Sequence, residues 1–360
     1  MAMLLQDLLS EALRKGATDI HLGIDMRPMI RLDGELVPLS GFTLLAAEDV
    51  RAVIGEVLTR KQIEELEENF EIDFSFSYSG TTGETSRFRG NCSFERGNLC
   101  MALRTIPTRI RTISDLKLPS PITEVTKKHR GLFLVTGPTG SGKSTTLASL
   151  IQEINLKRSC HIVTIEDPIE YMYTSEMSVI HQREIGADTK SFSEALKRVL
   201  RQDPDVILIG EMRDLETISA AVTAAETGHL VFATLHTQSA AQTVDRIIDV
   251  FPPHQQQQIR QQLSTVLIGV CTQQLIPIPG GGRTIATDLM FATPAIRNLI
   301  REAKVAQMLS IMQTGASFGM HTMDQDLGRL VREGVIPFDT AKARAHDPKD
   351  LERLVFESSF

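Results

Sequence analysis

Lys143 has the most specific chemical setting in this chain. From Gly137 the residues run Gly137-Pro138-Thr139-Gly140-Ser141-Gly142-Lys143-Ser144-Thr145: a glycine, four residues, then Gly-Lys-Ser. Glycines let a backbone bend until its N–H groups point inward at phosphate oxygens. A lysine at this place reaches the β- and γ-phosphates, and the Ser144 hydroxyl can ligate Mg²⁺. A helix starting near Gly142 adds its positive dipole end. A glycine turn with a chance lysine is the bland alternative. Against it, the apolar run Leu132-Phe133-Leu134-Val135 precedes the loop and a helical pattern follows, the context that a phosphate-binding loop requires.

Hydrolysis also needs a group for the metal, one to orient water and usually a cation from outside. Two acids end apolar runs downstream. Ile162-Val163-Thr164-Ile165 leads into Glu166-Asp167-Pro168-Ile169-Glu170, where a general base for water would sit. Val206-Ile207-Leu208-Ile209 leads into Gly210-Glu211-Met212-Arg213-Asp214, a strand and then an acid in the Walker B manner. Either acid could hold the metal or its waters. A loop carboxylate is ordinarily just solvated; two of them ending two strands behind a phosphate loop are not ordinary. His229 and His236 then bracket the run Leu230 to Leu235. Seven residues of strand separate two side chains by about 23 Å, a poor fit to a shared metal. In isolation both read as structural, but the carboxyl end of such a strand would bring His236 to the γ-phosphate.

Placing these groups together takes strands that point the same way. The runs 132–135, 162–165, 206–209 and 230–235 are short and nearly continuous, as strands covered on both faces should be. Helical stretches lie between them. One starts at Ser191-Phe192-Ser193-Glu194, which has the form of a capping box, and should end before Pro204. Another, Leu215 to Glu226, is alanine-rich and closes near Gly228. Alternating strands and helices imply a parallel sheet with active residues at its carboxyl edge.

The remaining chain is organised around this core. The 360 residues exceed one typical domain. Residues 1–106 read as a separate α+β domain: a helix from Leu4 to Leu13, a strand at Thr18 to Leu22, a hairpin of Met29 to Leu32 and Glu35 to Val37 across Asp33-Gly34, an exposed helix over 56–69, and strands through Ile72, Phe74, Phe76 and Tyr78, at Arg87 to Phe94 and at Leu99 to Ile106. Residues 107–121, with their prolines, read as a linker, 122–292 as the nucleotide-binding core and 293–360 as a helical segment. Gly280-Gly281-Gly282 is a loop.

Composition excludes several classes. A net charge of −7 argues against a protein built mainly to hold nucleic acid. Cys92, Cys100, Cys160 and Cys271 are widely spaced, so neither a zinc site nor a disulfide framework is suggested, and a reducing cytoplasm fits. No apolar run approaches the roughly 20 residues that span a bilayer. The amino terminus carries no signal-peptide pattern, so membrane association would come through a partner.

The loop Gly137 to Thr145, the stretch Ile165-Glu166-Asp167-Pro168-Ile169-Glu170-Tyr171, the acid at Gly210 to Asp214 and the histidine stretch Thr227 to Thr237 together resemble the four motifs of the secretion ATPase superfamily of type II and type IV systems. Arg183 to Thr189 and above all Ala295-Ile296-Arg297-Asn298-Leu299-Ile300-Arg301-Glu302 resemble its type IV pilus retraction branch, the PilT family. The similarity covers nearly the whole chain. The long amino-terminal extension and tetracysteine zinc site of assembly ATPases have no counterpart.

The resemblance implies an α/β architecture: an N-terminal PAS-like α+β domain, a RecA-like P-loop ATPase domain with a parallel sheet, and a helical C-terminal segment. It implies a homo-hexamer using ATP and Mg²⁺, with Ser144 and Glu211 toward the metal, Glu166 as catalytic base, Glu211 as Walker B acid, His229 and His236 in a histidine box, and Arg89 and Arg104 of the N-terminal domain as cations for the phosphates. Surface arginines on an edge strand are the bland reading of the last two. In the Ala295 to Glu302 stretch, Ile296, Leu299 and Ile300 would pack on their own core, leaving Arg297, Asn298, Arg301 and Glu302 to contact a neighbouring subunit. The implied partners are an inner-membrane pilus platform protein and an accessory retraction ATPase. Neither nucleic acid nor direct membrane insertion is expected, and the implied place is cytoplasmic, at the inner face of the inner membrane through the pilus machine. Pilus-assembly and type II secretion ATPases, nucleic-acid translocases and a non-hydrolysing nucleotide-gated ring are the competing readings.

Overall fold

The computed structural model describes residues 5–32, 35–80, 85–106 and 109–357. Among these, the chain forms two compact units. One comprises the residues up to Arg109 with Glu170–Met172, the other Ile110–Ile169 with the residues from Tyr173 on.

In the first unit, α1 (Leu5–Arg14) buries Leu5, Leu8, Leu9 and Ala12, the spacing of one helix face. Strands β1 (Asp19–Leu22), β2 (Met29–Leu32), β3 (Glu35–Pro38), β4 (Glu71–Ser79), β5 (Thr85–Glu95) and β6 (Asn98–Ile106) form an antiparallel sheet in the order β3-β2-β1-β6-β5-β4. Strands β2 and β3 pair antiparallel as expected, while the Asp33-Gly34 turn lies outside the described residues. The single helix expected over 56–69 is corrected to α2 (Ala47–Val57) and α3 (Arg60–Asn69). The break lies at Leu58, because Thr59 and Gln62 form a capping box that starts a new helix.

In the second unit a sheet runs in the order β13-β12-β7-β11-β10-β8-β9, with β7 (Gly131–Thr136), β8 (His161–Glu166), β9 (Val179–Glu184), β10 (Val206–Ile209), β11 (Leu230–Leu235), β12 (Leu267–Pro277) and β13 (Arg283–Phe291). Its pairings are parallel except for β13, which returns antiparallel to β12. The parallel sheet is as expected, and β13 adds one antiparallel strand at its edge. Alternate side chains of one strand serve opposite faces. Leu132 and Leu134 of β7 pack with α6 (Phe192–Val199), α7 (Leu215–Glu226), α8 (Ala240–Asp249), α9 (Pro253–Val266) and α10 (Pro294–Arg301), whereas Phe133 and Val135 pack with α4 (Thr123–Thr126) and α5 (Lys143–Lys157). Ile113 and Leu118 join that second layer, so the stretch read as a linker contributes to the core of this unit; Pro107 lies outside the described residues. At the far end α11 (Met308–Gln313), α12 (Met323–Arg332), α13 (Phe338–Lys342) and α14 (Pro348–Phe356) complete the chain, and Met323, Leu327 and Leu351 pack on Ile276 and Ala286 of the edge hairpin.

Candidate nucleotide site

Register brings the predicted groups to one edge. Ile209 stands opposite both Ile165 and Ala233, and Leu235 opposite Thr136. Glu166, the Gly210-Glu211 pair, His236 and the loop from Gly137 therefore leave the sheet together at its carboxyl edge, where ligands of such sheets bind.

The loop is braced from a strand that sequence reasoning did not anticipate. Gly137 has φ 137°, and a Cβ there would lie 2.3 Å from the Gln273 carbonyl oxygen, so only glycine fits. The fully buried Gln273 of β12 donates from Nε2 to the Ser141 carbonyl at 2.7 Å. Beside it the Thr136 and Thr272 hydroxyls share a hydrogen bond of 2.8 Å. The signal was present as polar Gln273-Gln274 inside an apolar run, but nothing local said what they hold. Lys143 Nζ donates to the carbonyls of Gly137 at 2.9 Å and Pro138 at 3.2 Å. Burial pulls its pKa below the ordinary 10.5, and the charge of Glu211 works the other way. Pro138, Thr139, Gly140 and Ser144 are exposed, and α5 starts after Gly142 at φ 90°. First-turn N–H groups of a helix have no partner within it and suit an anion.

Opposite the loop, Glu211 contacts a guanidinium and an imidazole. Its Oε2 lies 2.7 Å from Arg213 and its Oε1 3.1 Å from His236 Nε2. Burial alone would raise its pKa; the hydrogen bond from Arg213 and the charges of His236 and Arg213 win, holding it below the ordinary carboxylate range. The turn behind it is fixed by Thr234, whose hydroxyl donates to the Gly210 carbonyl at 2.5 Å and whose own carbonyl accepts from Met212 at 3.1 Å. Glu166 is buried at the end of β8, and its carbonyl accepts from the Ile185 N–H at 2.9 Å. Glu184 is a positioning residue missed in the sequence: its carboxylate accepts the Ile169 N–H at 3.1 Å and so holds the acidic turn after Glu166.

Ser144 and Glu211 offer the hard oxygen donors that Mg²⁺ prefers. Among the described residues no three His, Cys, Asp or Glu side chains form a metal cage. The residues present fit an ion held mostly by phosphates and water, the usual mode for Mg²⁺.

The other expected residues have local surroundings of their own. His229 lies at the amino end of β11, its Nδ1 2.9 Å from the Ala224 carbonyl and 3.2 Å from the Thr227 hydroxyl, so the chain does not bring it to Glu211. Arg89 and Arg104 face each other across β5 and β6 in the first unit, both exposed. Opposed like charges cost stability on a strand pair, and Asp19, 2.8 Å from Arg104 Nε, offsets one of them. Burial alone would raise the Asp19 pKa, but its bonds to Arg104 and Thr18 bring it below the ordinary value.

Arg297 also departs from expectation. Ile296, Leu299 and Ile300 are buried as read, but Arg297 turns inward as well: its guanidinium donates to the carbonyls of Ala292 at 2.9 Å, Thr265 at 2.6 Å, Leu267 at 2.8 Å and Ser264. It caps the carboxyl end of α9, where a cation is favoured. Asn298, Arg301 and Glu302 bond among themselves on the outer face. A cavity of about 780 Å³, lined by Gly131, Thr265 and Arg297 among others, opens at this amino edge and is separate from the nucleotide site.

Residues 114–333 match the family model described as type II/IV secretion system protein. The chain is 48% identical over 345 residues to the type IV pilus retraction ATPase PilT of Pseudomonas aeruginosa, covering 96% of this chain and 99% of that protein. It is 46% identical over 325 residues to a twitching motility protein of Neisseria gonorrhoeae, covering 90% and 86%. A crystal structure of the pilus retraction motor PilT with bound ADP superposes with a TM-score of 0.91 at 46% identity, covering 98% of this chain and 99% of that one. This chain belongs to the type II/IV secretion system protein family and lies on its PilT branch.

Proposed function

We propose that this chain is an ATP-hydrolysing motor that powers type IV pilus retraction, and with it twitching motility, as a hexameric ring acting on an inner-membrane platform protein. The observation that carries the reading is the meeting, at one sheet edge, of the Lys143 loop with the Glu211, Arg213 and His236 cluster, in a chain similar to PilT over nearly its whole length.

In this reading the Gly137 to Thr145 backbone cradles the β- and γ-phosphates while Lys143 neutralises them. Glu166 takes the proton of the attacking water, its burial keeping bulk solvent away. Glu211 would hold Mg²⁺ or its waters, and His236 would report the γ-phosphate to Glu211. Ser144 would also hold Mg²⁺, which when bound would supply charge neutralisation for the developing phosphate oxygens. Arg89 and Arg104 act as cations delivered by the N-terminal domain, which couples closure to charge stabilisation. His229 is assigned the junction of α7 and β11 instead of the chemistry. The domain limits are 1–106, a 107–121 connection partly absorbed into the core, 122–292 and 293–360. The motor works at the cytoplasmic face of the inner membrane through the pilus machine, with an accessory retraction ATPase as a further partner. Among the described residues no helix is long and apolar enough to cross a membrane.

The test is pilus retraction in cells lacking the gene, complemented with the intact chain or with Glu166→Ala, alongside ATPase assays on the purified protein. Restored retraction with the intact chain, and loss of both hydrolysis and retraction with the variant, support the motor. Normal retraction with the variant makes the chain a binding module. Restored pilus growth or protein secretion in place of retraction assigns it to assembly or type II secretion.

A further inference from the structure

The turn from Arg183 to Thr189 meets the segment that carries Glu166 at two places. Glu184 is the register partner of Glu166 across β8 and β9. Its neighbour Ile185 donates its N–H to the Glu166 carbonyl at 2.9 Å. The Glu184 carboxylate reaches further along and accepts the N–H of buried Ile169 at 3.1 Å. Glu166 and Ile169, the two ends of the acidic turn, are therefore both tied to the same short stretch of chain.

That stretch is closed on itself. The Asp188 carboxylate accepts the Glu184 N–H at 2.9 Å, and the Glu184 carbonyl accepts from the N–H groups of Asp188 at 2.9 Å and Thr189 at 3.2 Å. Gly186, at φ 85°, donates to the Thr189 carbonyl at 2.7 Å, and Arg183 Nη2 donates to the Asp188 carbonyl at 3.1 Å. Strand β9 is the outermost of its sheet, so among the described residues no further strand braces Glu184 from outside. The internal bonds supply that stiffness instead. It matters because a carboxylate that takes a proton from an attacking water works only within hydrogen-bond reach, and a misplacement of about 1 Å can cost about a hundredfold in rate.

We infer that the Arg183 to Thr189 turn is a clamp that sets the position of Glu166 for hydrolysis, with Glu184 as the positioning residue and Asp188 as its support. The inference rests on the reading of Glu166 as the base. The contacts act on the acidic turn rather than on the phosphate loop, so the clamp governs the chemical step and not nucleotide affinity.

Steady-state ATP hydrolysis by the full-length protein, set beside titration with a fluorescent ADP analogue, tests it. Glu184→Ala should lower kcat by about tenfold or more while ADP affinity stays within about twofold of wild type. Glu184→Gln keeps an acceptor oxygen for the Ile169 N–H and should recover most of that rate, whereas an amide would not replace a carboxylate that acted in the chemistry itself. Thermal melts confirm that the variants fold. If Glu184→Ala does not, Asp188→Ala, at an exposed position, decides in its place, with a several-fold loss of kcat expected. Glu166→Ala, assayed in parallel, separates this inference from the reading beneath it. Wild-type turnover in Glu166→Ala removes the base and the clamp with it. An inactive Glu166→Ala beside folded clamp variants of wild-type kcat overturns the clamp alone, as does a Glu184→Gln as slow as Glu184→Ala, or an ADP affinity that falls in step with kcat.

Discussion

Gln273 donates from Nε2 to the carbonyl oxygen of Ser141 across 2.7 Å, although 132 residues separate the two in sequence. Strand β12 lies beside β7 in the sheet, so this contact fastens the phosphate loop to the strand next to the one it leaves. Gln273→Ala removes the donor and leaves a buried carbonyl unsatisfied. The expected cost is about 1–3 kcal/mol of stability, with nucleotide affinity lower by about tenfold as the loop loses its fixed shape. Titration with a fluorescent ADP analogue, set beside a thermal melt, measures both. Wild-type affinity in the variant would show that the loop holds its shape unaided.

Glu211 and His229 separate chemistry from architecture within one histidine-and-acid pattern. Glu211→Ala strips the carboxylate from between Arg213 and His236 and should lower ATP turnover by about a hundredfold while nucleotide still binds. His229→Ala removes contacts local to the α7–β11 junction. It should lower the melting temperature yet leave turnover within about twofold of wild type. Steady-state hydrolysis by both variants decides. Equal losses would return His229 to the reaction.

What could be read in advance follows from the range of the interaction concerned. The strands carrying Leu132 to Val135, Val206 to Ile209 and Leu230 to Leu235 are continuous apolar runs buried on both faces, and the loop after the first is a local backbone pattern, so both were legible. Strand β9 was not: its edge position leaves Val179 exposed and gives Val179 to Glu184 a mixed polar pattern with no clear period. Strands β12 and β13 lack the intervening helix that made the other strands visible. The roles of Gln273 and Glu184 depend on which strands become neighbours, and no local signal carries that. Arg297 misled because a charged residue on an amphipathic helix ordinarily faces out; here the end of α9 offers it carbonyls that only the tertiary structure supplies.

Arg297 should accordingly behave as a structural residue. Arg297→Ala leaves the last carbonyls of α9 without their cation and should destabilise the protein by on the order of 3 kcal/mol. Arg297→Lys recovers only part, because an ammonium cannot reproduce the planar fork. Arg301→Ala, on the outer face, should stay within about 0.5 kcal/mol of wild type. Chemical denaturation of the three variants tests this ordering. A stable Arg297→Ala protein that fails only to form its ring would restore the subunit-contact reading.

Lys143 and Glu211 are coupled, and nucleotide binding should reveal it through protons. Burial lowers the Lys143 pKa below 10.5, while the Glu211 carboxylate partly holds it up. Phosphates add negative charge beside the ammonium and raise its pKa, so the bound state keeps a proton that the free protein has begun to lose. ADP affinity should thus be level near neutral pH and fall as pH rises through the depressed value, with net proton uptake on binding in that window. Glu211→Gln removes the charge that supports the ammonium, so the decline should begin at lower pH. Calorimetry in pairs of buffers with different ionisation heats, stepped between about pH 7 and pH 10, measures the proton count directly. An unchanged onset in Glu211→Gln would mean that the two groups do not feel one another across the site.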